Sequence, residues 1–109
     1  MGGSQGTAER SVTLFEVDVL PDAEAEIRAA FIWYFERSPI AADAFRTEAL
    51  EAIDSLQTDA PMWPADEDGI RRYLLRHFPY KVFYEIEGQS VTVLAIAHHR
   101  RKPGYWRVR

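Results

Sequence analysis

A chain of 109 residues without a single cysteine is sized for one core rather than two, and it excludes a disulfide scaffold, a zinc-thiolate site and a cysteine nucleophile. Its net charge of −4 hides a split: residues 1 to 69 hold fifteen acids against four basic residues (net −11), and residues 70 to 109 hold two against nine (net +7). The cationic half points to an anionic partner, nucleic acid or an acidic protein segment, while apolar runs such as "VLAIA" are far too short to span a bilayer and no secretory core follows the start. The expected location is the cytoplasm.

The opening "MGGSQGTAER" is small and polar with nothing to bury, so residues 1 to 11 are expected to be a disordered leader or an expression remnant, and residues 12 to 109 the folded domain. "VTLFEVDV", residues 12 to 19, puts Phe15, Val17 and Val19 on one side and Glu16 and Asp18 on the other. That alternation predicts a half-buried strand.

Pro21 then stands where a first helical residue belongs, with Asp22, Glu24 and Glu26 in the opening turns, where acids suit the positive end of the helix dipole. Ile27, Ala30, Phe31, Tyr34 and Phe35 follow at helical spacing and predict an amphipathic helix with an aromatic stripe. Ser38 and Pro39 restart the pattern as cap and first residue of a second helix, whose apolar face runs through Ala42, Phe45, Ala49, Ala52, Ile53 and Leu56. So short a link predicts an antiparallel helical hairpin. Two prolines and an Asp-Gly pair make "QTDAPMWPADEDG" a loop.

The remainder predicts three strands: "IRRYLLRH", then "YKVFYEIE" with Val82, Tyr84 and Ile86 on one side, then "SVTVLAIAH" after the turn "EGQS". Pro79 suits a turn or a strand entry. The expected fold is α+β, in the order β-α-α-β-β-β, a mostly antiparallel sheet with the helical hairpin packed on one face.

Few residues carry chemistry. There is no glycine-rich phosphate loop, and His98 and His99, adjacent on a strand, point to opposite sides and cannot chelate one ion together. With His77 the third and last histidine, neither a metal site nor a cofactor is expected. The acids of the first helix are assigned to the dipole and to solvation. The basic set is the stronger signal: Arg71, Arg72 and Arg76 on the first C-terminal strand, Lys81 at the start of the next, and Arg100, Arg101 and Lys102 after the last. Alternation puts Arg72 and Arg76 on one side and Arg71 on the other. Flanked by Tyr80, Tyr105 and Trp106, together with His99, the set suits an anion-binding or base-stacking surface, although pinning the tail to the core is the first role expected of Trp106. Were such a surface to cut RNA without a metal, Lys81 and Arg101 would stabilise the phosphorane charge, and Tyr105 or His99 would move protons or stack a base.

Two segments, "RRYLLRHFPYKVFYEIEG" and "VLAIAHHRRKPGYW", together with the order of elements over residues 12 to 106, resemble the RelE/ParE superfamily of toxins from type II toxin-antitoxin modules. The resemblance implies one of two activities: cutting of ribosome-bound messenger RNA by RelE-like members, which are metal-independent endoribonucleases, or poisoning of DNA gyrase by ParE-like members, which are not nucleases. On the RelE-like pattern Lys81 matches a basic position that is typically arginine, Arg101 or Lys102 the basic residue after the last strand, and Tyr105 the C-terminal tyrosine; these would be the catalytic residues. The lysine-rich segment of RelE-like nucleases is replaced here by the acidic "ADEDG", which would repel a nearby phosphate. "HHRRKPGYW" is close to ParE-like plasmid-stabilisation proteins, so the gyrase branch is preferred, with Arg71, Arg72, Arg76, His99, Arg100, Lys102 and Trp106 as target-binding residues. Either branch implies growth inhibition relieved by a cognate antitoxin in a toxin-antitoxin hetero-oligomer, with Ile32 and Trp33 on the helical hairpin as a second contact site. A third reading is an inactive relative kept for antitoxin binding or co-repression.

Overall fold

The computed structural model describes residues 14 to 101 and 104 to 108; the leader at residues 1 to 11 and Lys102 lie outside the described residues. The elements follow the expected order: β1 (Glu16–Val19), α1 (Pro21–Phe35), α2 (Pro39–Asp59), a 3-10 turn (Ala60–Met62), β2 (Arg71–Leu74), β3 (Tyr80–Glu87), β4 (Ser90–His98) and a last 3-10 turn (Tyr105–Val108). Pro21 and Pro39 begin the helices as the sequence indicates, and the Ser38 side chain accepts a hydrogen bond from the Ala41 N–H at 3.2 Å. The second helix runs to Asp59, one turn further into "QTDAPMWPADEDG" than its apolar face suggests.

The sheet order is β1-β4-β3-β2. β2, β3 and β4 form an antiparallel meander, whereas β1 lies parallel to β4 after the helical hairpin has carried the chain across the sheet. The sheet is therefore mixed, with three antiparallel strands and one parallel addition.

Pairing between β3 and β4 slips once: Phe83 faces Ala95 and Tyr84 faces Val93, so Leu94 is the extra residue of a bulge. A bulge reverses the alternation of the strand it interrupts. Val91, Val93 and Ile96 consequently all join the core under the helices, together with Val82, Tyr84, Phe45, Ala49 and Leu56. Ala95 and Ala97 face the other way, with Phe83. The Tyr84 hydroxyl, fully buried with its ring, donates to the Ala60 carbonyl at 2.6 Å. Burial pushes its pKa up to about 12, with a smaller opposing effect of the Arg71 charge.

Strand β2 is shorter than "IRRYLLRH". It ends at Leu74, so Arg76 is not on the strand and does not share a side with Arg72. What fixes the turn after it is Glu48 of α2, whose carboxylate accepts from the backbone N–H groups of Arg76 and His77 and meets the His77 ring at 2.9 Å. Burial pushes the Glu48 carboxyl up; the His77 side chain and those two N–H groups outweigh it and hold the group below its ordinary value.

Candidate functional site

One side of the sheet carries the helices. On the other, among the described residues, the C-terminal segment is what crosses the sheet. Strand alternation sets what projects there: Arg72 opposite Phe83 and Lys81 opposite Ala97. Ile70, Phe83, Ala95 and Ala97 form a small second core, with Leu94, Tyr105 and Trp106 packed against it. The Trp106 ring lies 4.2 Å from Phe83, centroid to centroid. Its expected role as a pin for the tail is met by this contact.

Three further contacts hold the crossing. Tyr105 donates its hydroxyl proton to Glu26 Oε2 of α1, while Glu26 Oε1 accepts from the Ile96 N–H at 2.9 Å. The Ile96 N–H is available because β1 pairs with Ser90 to Val93 of β4 and, among the described residues, no strand covers the rest of that edge. At the far end Arg107 donates to Asp68 at 2.8 Å and lies 4.0 Å from Asp66. Asp66 itself accepts from the N–H groups of Ile70 and Asp68, which hold its carboxyl below its ordinary value, helped by the charges of Arg107 and Arg72.

Between this crossing and the end of β4 lies a cleft of about 290 Å³. Its cationic wall is Arg72, Lys81, Arg100 and Arg101, with His98 and His99 beside them, and its aromatic wall is Phe83, Tyr105 and Trp106. The Arg101 guanidinium sits 3.9 Å over the Tyr105 ring, a cation–π contact. Among the described residues no carboxylate lines the cleft, and no ion pair holds Arg72, Lys81, Arg100 or Arg101.

The cleft thus unites Lys81, Arg101, Tyr105, Arg72, His99, Arg100 and Trp106. It does not include Arg71, whose guanidinium projects under the helices and donates to the carbonyls of Pro61 and Trp63. Nor does it include Arg76, which lines a separate hollow against α2. Ile32 and Trp33 are half-exposed but turn to different places. Ile32 lines a hollow of about 260 Å³ with Ile27, Phe31, Arg28 and Arg46, whereas Trp33 lines a groove between α1 and β4 and lies under the Arg37 guanidinium at 3.7 Å.

Sequence reasoning missed Glu26 and Arg107. Glu26 was assigned to the helix dipole and solvation, and instead it joins the open edge of β4 to Tyr105. The signal for it is weak: an acid on the helix that follows a strand too short to cover its neighbour. Among the described residues no group of three or more acidic or histidine side chains could hold a metal ion, and no helix is long and apolar enough to cross a membrane.

A two-helix hairpin on one face of a four-stranded mixed sheet, with a cationic and aromatic cleft on the other, defines a small α+β protein. A solved structure with this fold, described as the chromosomal ParDE TA system from P. aeruginosa, superposes with a TM-score of 0.70 at 20% identity, covering 78% of this chain and 96% of that one. The sequence model of the ParE toxin of the type II toxin-antitoxin system, parDE, matches residues 17–103. The chain belongs to the ParE toxin family of type II toxin-antitoxin systems. No match was found among curated proteins.

Proposed function

We propose that this toxin arrests growth by binding DNA gyrase, that it does not cut RNA, and that a cognate antitoxin neutralises it in the cytoplasm. The observation that supports this reading most is the engagement of Tyr105. Metal-independent cleavage of RNA needs a group that exchanges protons at the scissile phosphate. Here the Tyr105 hydroxyl proton is given to Glu26, a carboxylate on the wall of the neighbouring groove and not of the cleft, and the ring is covered by Arg101. The cleft keeps its cations, and with Tyr105 engaged any proton exchange there would fall to His98 or His99. Membership of the ParE family weighs the same way.

One observation favours the rival, RelE-like reading: Lys81, Arg101 and Tyr105, the three residues it would use, do share one cleft. On the gyrase reading the cleft residues Arg72, His99, Arg100 and Trp106 contact the target. The antitoxin covers the half-exposed apolar residues of the hairpin, Ile32 and Trp33 among them, as an amphipathic segment that orders on binding.

Expression of the chain without an antitoxin should stop growth, and purified protein should inhibit supercoiling by gyrase while ribosome-bound messenger RNA stays intact. Cleavage of the messenger that is lost in Tyr105→Phe, with gyrase unaffected, would replace this reading by the RelE-like one. Unimpaired growth would leave only the inactive relative.

A further inference from the structure

We infer that Glu26 is a positioning residue: from the groove between α1 and β4 it sets, through Tyr105, where the Arg101 guanidinium stands in the cleft. Its effect on a target rests on the gyrase reading above; the geometry of the link does not. Glu26 sits in the second turn of α1 and lines the groove with Trp33 and Ile96, a hollow of about 590 Å³. That groove shares Ala97, His98, Arg100 and Arg101 with the cleft. The two hollows lie side by side, and the side chain that joins them is an acid from the helical layer.

Glu26 is itself held by the sheet, because its Oε1 accepts from the Ile96 N–H at 2.9 Å, on a stretch of β4 beyond its pairing with β1. A carboxylate has a second acceptor oxygen, and Oε2 takes the Tyr105 hydroxyl from 79 positions along the chain. With its far end tied, the Tyr105 ring meets Trp106 edge-on at 5.6 Å and turns a face to Arg101, whose guanidinium stands 3.9 Å from the ring centre. The Arg101 backbone is placed separately, by its N–H on the His98 carbonyl at 2.9 Å in the turn after β4. Its long side chain is exposed and, among the described residues, in no ion pair. The ring therefore selects the direction in which the charge points.

Charge alone predicts the opposite role. Glu26 is an acid in the same groove as Arg100 and Arg101, so its removal would strengthen the attraction for an anionic patch of a target. Positioning predicts a loss, since a guanidinium without its seat must be ordered again when the target binds, at a cost in side-chain entropy. Glu26→Gln keeps the link and discards the charge: the amide carbonyl still accepts from Ile96, and the amide N–H donates to the Tyr105 oxygen, reversing the second bond.

The experiment titrates gyrase supercoiling with variants of the full chain and, without gyrase, follows the Arg101 Nε–H signal of the isotope-labelled chain by nuclear magnetic resonance. In the wild type that signal, identified by its loss in Arg101→Ala, should lie upfield of the exposed Arg28 because of the Tyr105 ring. Glu26→Ala and Tyr105→Phe should each return it toward the Arg28 position and raise the half-inhibitory concentration by about 3- to 5-fold, the loss of one exposed cation–π contact. Glu26→Gln should behave as the wild type does in both measurements, and so should Glu24→Ala, which removes an exposed acid from the same helix. In an Arg101→Ala background, Glu26→Ala should bring no further loss. Tyr105→Phe leaves α1 and its contact with Ile96 untouched, so it reports on the link even if Glu26→Ala folds poorly. An Arg101 signal unmoved by both substitutions would overturn the link, as would equal losses from Glu26→Ala with and without Arg101, or stronger inhibition by Glu26→Ala. A wild type that leaves gyrase uninhibited would end the gyrase reading, and the resonance shifts alone would then decide the link.

Discussion

The two faces of the sheet are made from the same strands and differ in almost every other respect. Under the helices, Phe45, Leu56, Val82, Tyr84, Val91 and Val93 are completely buried, and the only polar atom among those side chains, the Tyr84 hydroxyl, has its carbonyl partner. On the open face the buried set shrinks to Ile70, Phe83, Ala95 and Ala97, and its lid is a four-residue turn held by Glu26, Phe83 and Asp68. One face is shaped by volume and satisfied hydrogen bonds. The other is shaped by charge, and its Arg72, Lys81, Arg100 and Arg101 have no ion pair among the described residues. On the proposed reading, stability and recognition of the target fall on opposite sides of a single sheet, so that substitutions on one side should affect the other only weakly.

The largest expected effect is on the helical side. Phe45→Ala should cost about 3–5 kcal/mol, because a fully buried ring leaves a cavity as well as lost burial, whereas Trp106→Ala, whose ring is only partly covered, should cost about 1–2 kcal/mol. Urea denaturation of the two variants measures the difference; equal losses would mean that the open face holds a second full core and would break the contrast.

Next is Tyr84→Phe, which leaves the Ala60 carbonyl without its donor and should cost about 1–2 kcal/mol at neutral pH. The folded-state pKa of Tyr84 is raised above the ordinary 10 to about 12, so its contribution is complete below pH 10 and is lost as pH rises toward 12. Thermal melts of wild type and Tyr84→Phe should therefore converge in that window.

Of similar size is Glu48→Ala, which frees two backbone N–H groups at the β2–β3 turn and should cost about 1.5 kcal/mol at pH 7. The folded-state value of Glu48 is depressed. Its contribution is present above the ordinary 4.5 and disappears as pH falls through the lowered value, so the gap between wild type and variant should close in acid. A gap that persists at pH 2 would mean that packing and not the carboxylate fastens the turn.

The smallest effect should be that of Arg107→Ala on the open face. An exposed pair with Asp68 contributes under about 1 kcal/mol, and the difference in melting temperature should vanish at 1 M salt. A large, salt-independent loss would show that the terminal turn is a structural layer and not a light cover.

Much of this was legible in the sequence. Pro21, Ser38 and Pro39 announce both helices, the spacing from Ala42 to Leu56 announces the buried face of the second, and Val82, Tyr84 and Ile86 alternate as a half-buried strand must. The cationic side of the site was visible as a charge split. What stayed hidden depends on register and on contacts distant in sequence. Arg71 and Arg72 are neighbours with equal claims, and only the pairing of β2 with β3 decides that Arg72 faces the cleft. Arg76 falls off the strand because Glu48, 28 positions earlier, captures the turn. Glu26 looked like a solvated helix acid because nothing local says that β1 stops four residues along β4, and the Leu94 bulge that brings Ile96 under the helices has no signal in composition.

The contrast between the faces is tested most directly by gyrase itself. Supercoiling should be titrated with wild-type toxin, with the double variant Arg100→Ala/Arg101→Ala in the cleft, and with Arg28→Ala/Arg46→Ala on the helical hairpin. The cleft pair should raise the concentration needed for half-inhibition by about 10-fold or more, the loss of two charge-assisted contacts, while the hairpin pair should leave it within about twofold. The opposite ranking, or two variants that inhibit as wild type does, would contradict the assignment of recognition to the open face.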